Sequence, residues 1–508
     1  MASEGAVSTV DVVVVGYGAA GIAAAITAHD AGAEVVVLEK MAPALAGGNT
    51  RASGQVWFSP HDPVLAKEYL LGLSSDMPVD EGIAEAWSQE ICRNTEWLTA
   101  RAAEAAGSIE VDPLDDFGQG TDYTQINYRN EMKRQTGWDA TQDEFPEFNN
   151  EGGTDYIYFG ASQGYSRLWQ RIRAALHRRD ISVLYETRAS GLTRDGAGRV
   201  TGVLVERPQG GHEIRARRGV VLACGGFENN PEMIRTYLGL PYATPWGTPA
   251  NTGDGIRMAQ AIGADLANMY QYMPFLGIRI PGRAVGEFTQ PAGPGFVNVR
   301  TDGRRWMDET LPYRHGKSTI GGRLEFYPNY PAWTVFDEDV RLAGPLPMTR
   351  EQFAGGWLKQ VERYEWSADN SVEIENGWII RADTIAELAQ RLGVDRDGLE
   401  QEVARFNEFA RAGEDPQFGR PGAAMAPIAR APFYGYQWGN LIINTMGGLR
   451  KDAGARVRGV DGEPIAGLYC AGEIASTYTW ALSGGQSIGD ALAFGRIAGR
   501  NAAARGAE

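Results

Sequence analysis

Of 508 residues, three are cysteine (Cys92, Cys224 and Cys470) and five are histidine. No two cysteines stand in C-x-x-C spacing, which argues against a disulfide framework, a thiolate zinc site and an attached c-type haem. The histidines, His29, His61, His177, His212 and His315, show no metal-ligand spacing. Positive charge is scarce as well: 48 Lys and Arg stand against 64 Asp and Glu, a formal net charge of −16. That balance speaks against nucleic acid and against an anionic membrane surface as partners. No apolar run approaches the roughly 20 residues that span a bilayer. Residues 1–9 are polar, carry no positive charge and run straight into an apolar segment, so no signal peptide is expected. A cytoplasmic enzyme is the expectation these absences leave.

Glycine, in contrast, is abundant at 65 residues, which suits tight loops held close to a ligand. The length predicts two or more lobes. Residues 10–15 (VDVVVV) read as a strand buried on both faces. Gly16-Tyr17-Gly18-Ala19-Ala20-Gly21 follows at once, then a helical stretch over 22–31 and a second strand over 34–38 ending at Glu39 and Lys40. Each part has a physical task in dinucleotide binding. Gly16 permits the tight turn, Gly18 lets backbone approach a pyrophosphate, and Gly21 lets helix and strand pack closely. The helix start offers unpaired N–H groups to phosphate, and an acid about twenty residues on, here Glu39, meets a ribose hydroxyl.

Further motifs follow in order. Gly47-Gly48-Asn49-Thr50-Arg51-Ala52-Ser53-Gly54 comes first, then Thr187-Arg188-Ala189, then residues 220–227 (VVLACGGF) with Ala223 and Gly225. Asn251-Thr252-Gly253-Asp254-Gly255 and Thr445-Met446-Gly447-Gly448 come next. Gly467-Leu468-Tyr469-Cys470-Ala471-Gly472-Glu473 and Ser483-Gly484-Gly485-Gln486-Ser487-Ile488-Gly489 close the series ahead of a helix predicted over 492–503. Together these resemble the fumarate reductase and 3-ketosteroid dehydrogenase superfamily of FAD-dependent oxidoreductases. The resemblance implies FAD held by these motifs. It also implies that the last helix points its N-terminus at the flavin, where Ser487 and Ile488 lie. No histidine precedes Gly47 in the flavin loop, so FAD is expected to be non-covalent.

The implied fold is α/β: a Rossmann-like, glutathione-reductase-like FAD-binding domain with an inserted α+β substrate-binding cap. Since cofactor motifs occupy both ends, the expected division is 1–272 with 433–508 for the FAD domain and 273–432 for the cap. Within the cap, residues 327–331 and 344–347 read as Pro-rich loops. Residues 382–393 read as a helix with Asp383 as its N-cap, and residues 399–412 as a second helix. The aromatic, acidic stretch 108–165, with Phe117, Tyr123, Tyr128, Trp138, Phe145, Phe148, Tyr156 and Tyr158, reads as an excursion lining a cavity or as a surface loop.

The resemblance also bears on the reaction. Fumarate reductases of this superfamily clamp dicarboxylates with histidines and arginines. Here the matching positions hold Ile443 and Asn444 before Thr445, and Leu482 before the final glycines. Asp308-Glu309-Thr310-Leu311-Pro312-Tyr313 resembles the E-x-x-PY segment of ketosteroid dehydrogenases, which makes Tyr313 the expected proton-transfer residue. Arg314 is the alternative acid in a shifted register. Backbone N–H at Gly484 and Gly485 would hold a ketone oxygen. The second tyrosine of ketosteroid dehydrogenases falls at Ala481, leaving Tyr478 or Trp480 to fill the space. The expected activity is desaturation of a cyclic ketone α,β to its carbonyl, with a cyclic ketone or enone as the small-molecule substrate and an electron acceptor that the sequence leaves unspecified. The alternatives are a fumarate-reductase-like ene reductase or dehydrogenase of a carboxylate, and a flavin-binding subunit of an electron-transfer complex.

Overall fold

The computed structural model describes residues 9–105, 132–135, 154–159, 166–208, 210–310, 316–320, 323–326, 331–347, 355–482 and 484–504. The chain forms two compact units. One comprises Met1–Pro241, Gly247–Tyr272 and Asn444–Glu508; the other comprises Tyr242–Trp246 and Met273–Ile443.

The first unit is built on an eight-stranded sheet. Strand β1 (Thr9–Val15) lies at its centre because Val12, Val13 and Val14 are apolar on both faces and wholly buried. It pairs in parallel with β2 (Val35–Leu38) on one side and with the strand His212–Leu222 on the other. Beyond these lie Ser182–Leu184 and, from the far end of the chain, Pro464–Cys470, both also parallel. An antiparallel meander of Arg188–Arg194 and Val200–Glu206 joins the edge of His212–Leu222.

Helix α1 (Ala19–Asp30) follows β1, three residues earlier than the sequence pattern predicts. It packs against the C-terminal helix Gln486–Ala503 through small residues. A Cβ at Gly495 would lie 2.6 Å from the Ala20 carbonyl oxygen, and one at Gly499 would lie 2.3 Å from that of Ala24. Main chain meets main chain there, so neither glycine can carry a side chain without moving the helices apart.

The second unit contains an antiparallel sheet in the order Phe296–Val299, Trp333–Asp337, Phe433–Gln437, Ile380–Ala382. Side chains alternate across it, as the pleat requires. Val297, Val299 and Val335 enter one core with Leu388, Leu399 and Phe406 of the helices Ile385–Leu392 and Arg396–Ala412. Phe296, Phe336, Tyr434 and Tyr436 enter the other.

Two sequence expectations are corrected here. The N-cap of Ile385–Leu392 is Thr384, not Asp383: its hydroxyl accepts from Glu387 N at 3.1 Å, while Glu387 Oε2 accepts from Asp383 N at 3.1 Å. This reciprocal pair is a capping box, which fixes the cap one residue later. The final helix begins at Gln486, not at 492. Residues 344–347 are loop, while 327–330 lie outside the described residues. So does most of the aromatic stretch 108–165, save the backbone of Met132–Gln135 and Thr154–Phe159, which pair with each other; Thr154–Phe159 also pairs with Val56–Pro60. No helix among the described residues is long and apolar enough to cross a membrane.

Candidate functional site

The site assembles where β1 gives way to α1. Gly16 has φ +113°, and a Cβ there would stand 2.2 Å from the Ala223 carbonyl oxygen, so only glycine fits this crossing of two strand ends. Gly18 is the N-cap of α1 and offers no side-chain cap, and the first turn carries no acid. Ala19 N donates to Thr50 Oγ1 at 2.8 Å. The N–H groups of Ala20 and Gly21, in the same turn, have no intrahelical acceptor, which makes an anion-binding helix start.

Around this turn the expected cofactor residues converge. Glu39, at the end of β2, is 7% exposed and accepts from Met41 N at 2.8 Å; burial raises its pKa. Lys40 Nζ reaches Thr252 Oγ1 at 2.9 Å and Asp254 Oδ2 at 3.0 Å. Arg188 Nη2 reaches Asp254 Oδ1 at 3.0 Å. Burial pushes the Asp254 carboxyl up, but these two cations outweigh it and hold the pKa at about 2. Ala189, beside Arg188, is buried.

The loop 47–54 forms a short helix, Gly48–Ala52, opened by Gly47 in the left-handed region with Gly48 beside it. Ser53 Oγ donates to Thr50 O at 2.9 Å, and Gly54 is half-buried behind it. Trp169 packs against the loop, with the guanidinium groups of Arg51 and Arg173 over its ring at 5.0 Å and 5.1 Å and its backbone N–H donating to Gln55 Oε1 at 3.1 Å. Trp169 sits on the helix Arg167–His177. That helix ends at His177, whose Nε2 bonds the Tyr17 hydroxyl at 3.0 Å. Nothing in the motifs points to Trp169; its signal lies in the fold alone.

Opposite, Gly225 (φ +75°) faces Asn251, Phe227 N donates to Thr445 Oγ1 at 2.9 Å, and a Cβ at Gly472 (φ +79°) would stand 3.0 Å from the Ala20 Cβ. Glu473 follows directly, and Asn49 Nδ2 donates to it at 3.1 Å. Gly485 (φ +74°) caps the helix Gln486–Ala503, placing Ser487 and Ile488 in its first turn, and its carbonyl accepts from Phe58 N at 3.2 Å. Just before it, Trp480 is 9% exposed and its carbonyl accepts from Gln271 Nε2. Tyr478 is fully buried and its hydroxyl donates to Gln486 O at 3.1 Å, so this phenol is committed to the helix start.

One cradle therefore holds two helix N-termini, glycines where main chain must pass close, a buried acid at the end of β2 and no crowding side chain at the turn. That donor set fits a dinucleotide with a flavin ring. FAD would lie along Gly16–Gly21, Glu39, residues 47–54, Gly472–Glu473 and the Gly485 helix start.

Tyr313, Arg314 and His315 lie outside the described residues. Glu309 of the same segment is buried, paired with Arg305 Nη2 at 2.7 Å and Arg420 Nη1 at 3.0 Å, while Arg305 also reaches Asp415 at 2.9 Å. In this second unit a cavity of ≈ 120 Å³ is lined by Phe288, Thr289, Asn298, Glu309, Tyr436 and Trp438, among others. No cluster suited to a metal ion occurs among the described residues.

Comparison with known proteins identifies the family. The FAD binding domain family model matches residues 11–488. The 3-oxosteroid 1-dehydrogenase of Mycobacterium tuberculosis is 30% identical over 96% of this chain and 97% of its own. The 4-oxocyclohexanecarboxylate 2-dehydrogenase of Sinomonas cyclohexanicum is 29% identical over 98% of this chain and 94% of its own. Among solved structures, a 3-ketosteroid delta1-dehydrogenase from Sterolibacterium denitrificans, in complex with 1,4-androstadiene-3,17-dione, gives a TM-score of 0.72 at 25% identity, covering 98% of this chain and 99% of that one. With the match running through every motif from Gly16 to Ile488, the protein belongs to the FAD binding domain family and is an FAD-dependent oxidoreductase.

Proposed function

We propose that the enzyme introduces a C=C bond α,β to the carbonyl of a cyclic ketone, with the second unit serving as the substrate cap. The observation that carries this reading is the apolar, cation-free character of the two places where a dicarboxylate clamp would sit. Leu482 and Asn444 are buried and uncharged, Ile443 is half-buried and apolar, and the described part of each segment carries no histidine or arginine. A carboxylate would be desolvated there with no cation to receive it, whereas a ketone needs only hydrogen-bond donors. The names of the two relatives, an oxosteroid and an oxocyclohexanecarboxylate dehydrogenase, support a ring ketone.

When bound, FAD supplies the acceptor for the β-hydride. The chain's own residues do the rest. Tyr313 takes the α-proton, and the N–H groups of Gly484 and Gly485 hold the carbonyl oxygen as it gains enolate character. The positive end of the helix Gln486–Ala503 favours negative charge at the same place. Trp480 walls the pocket beside the glycines, since an indole cannot exchange a proton at neutral pH. The three free thiols suit a reducing cytoplasm.

The test is anaerobic titration of the holoenzyme with saturated cyclic ketones, steroids and dicarboxylates while flavin absorbance is followed. Bleaching by a ketone is expected, with Tyr313→Phe slowing it by about 100-fold or more. The proposal is overturned if no ketone bleaches the flavin while fumarate reoxidises the chemically reduced enzyme. Greater damage from Arg314→Ala than from Tyr313→Phe would move the acid–base role to Arg314.

A further inference from the structure

Beside the cradle lies a pair of acids that the proposed reaction does not use. Glu228, on the turn after His212–Leu222, is 1% exposed; Glu473, half-buried, borders the cofactor groove. Oε1 of Glu228 accepts from the side-chain amides of Asn49 and Asn251, each at 2.7 Å. The same two nitrogens lie 3.1 Å from Glu473 Oε2. Thr445 Oγ1 stands 3.4 Å from Glu228 Oε2, and Gly226 N–H bonds Glu473. Among the described residues no Lys, Arg or His makes an ion pair or hydrogen bond with either carboxyl.

Two ionised carboxylates laced together by the same two amides, with no cation beside them, would repel at close range in a poorly solvated place. One shared proton removes that repulsion and leaves a single charge. We propose that Glu228 is a positioning residue that shares one proton with Glu473 at neutral pH and, with Asn49 and Asn251, holds the Glu473 carboxyl in place against the bound cofactor. The proposal rests on the reading of the groove as the FAD site. Burial raises both acids, and the charge of Glu228 adds to the rise at Glu473, so the proton belongs to the pair and not to Glu228 alone. Because the folded-state pKa is raised, the protonated arrangement is lost only as pH rises through the pair's titration, above the ordinary carboxylate range. Deprotonation then places two like charges behind the cofactor.

Glutamine is the discriminating substitution, since its amide reproduces the shape and donor of a protonated acid and cannot titrate. FAD affinity is measured against pH for wild type, Glu228→Gln and Glu228→Ala. Ionisation of the flavin ring itself is common to all three and cancels. For the wild type the Kd is expected to rise with pH above the titration, by up to about tenfold per pH unit. Glu228→Gln should match it at neutral pH and stay flat beyond, while Glu228→Ala should bind weakly throughout. In infrared difference spectra between wild type and Glu228→Gln the C=O stretch of one protonated carboxyl should be lost, while bands of the other acids that burial raises, Glu39, Glu287, Glu402 and Asp490, are common to both proteins and cancel. A flat wild-type profile, a Gln variant that declines in parallel, or a band that survives Glu228→Gln would overturn the proposal. If the Ala variant does not fold, the comparison with Gln still decides. Failure of the wild type to bind FAD at any pH would instead overturn the cofactor site.

Discussion

Replacing Gly499 by alanine tests how the FAD-binding unit is held together. In the interior of an exposed helix this change would stabilise by about 1 kcal/mol, because alanine is the better helix former. Gly499 is not such a position. Its added Cβ would lie 2.3 Å from the Ala24 carbonyl oxygen and 3.0 Å from the Ala24 carbonyl carbon, well inside contact distance. The obstacle is main chain of α1, which cannot rotate away as a side chain could, so the helices must separate. Overpacking of a close-packed core costs about 1–3 kcal/mol. With an immovable obstacle the upper end applies, and set against the propensity gain the expected net loss is about 2 kcal/mol. Urea unfolding should show a lower midpoint with unchanged slope. FAD should also be held less tightly, because the displaced α1 carries the N–H groups of Ala20 and Gly21. Trimming Ala24 to glycine should not restore stability, as it removes only the side chain and leaves the carbonyl. A Gly499→Ala protein as stable as wild type, or one rescued by Ala24→Gly, would refute the reasoning.

Two further outcomes follow from charge. Asp254→Asn removes the partner of Lys40 and Arg188 and should cost about 1–2 kcal/mol at pH 7, read by chemical denaturation. Since the Asp254 carboxyl is held at about 2 against 3.8, that advantage is full above 3.8 and should fade as pH falls toward 2. Lys317 is 3% exposed with its Nζ 4.1 Å from the Phe326 ring, and burial lowers its pKa from 10.5 to about 7. Wild-type stability should therefore fall as pH drops from 10.5 toward 7, and Lys317→Met should flatten that dependence in thermal melts across the range.

The sequence announces what is local. Gly16, Gly18 and Gly21 can be read because strand, turn and helix follow one another without a break, and each glycine answers a steric demand made within a few residues. Helix ends are less legible. Gly489 in the first turns of the last helix reads as loop, yet a Cβ there would meet Ile91 and the Phe58 carbonyl, so packing demands glycine inside a helix. Asp383 and Thr384 are both good caps by type, and only the reach of Glu387 decides between them. Contacts between distant segments were not legible at all. Asn49, Glu228, Asn251 and Glu473 each belong to a separate motif, and nothing in any one motif announces that their side chains meet. The pairing of Arg305 with Asp415 and of Arg420 with Glu309 is of the same kind. Residues 242–246 and 433–443, both placed by the sequence within the FAD domain, group with the second unit: Thr244 and Pro245 pair with Leu441 and Ile442, and Phe433–Gln437 pairs with Trp333–Asp337.

The parallel sheet joins the beginning of the chain to its end, and this has a consequence for biosynthesis. At about 5–20 residues per second a ribosome needs roughly half a minute to a minute and a half between making β1 and making Pro464–Cys470. From the time the strand His212–Leu222 is made its Val220–Leu222 edge stays unpaired, and throughout the interval α1 lacks the helix it packs against. The stretch from Met273 to Ile443 is continuous, so the second unit can mature while the first waits open. An exposed parallel-strand edge is a template for wrong partners. Recombinant yield of this enzyme should therefore depend on how well the cell shields that half-built sheet until the last turn of chain arrives.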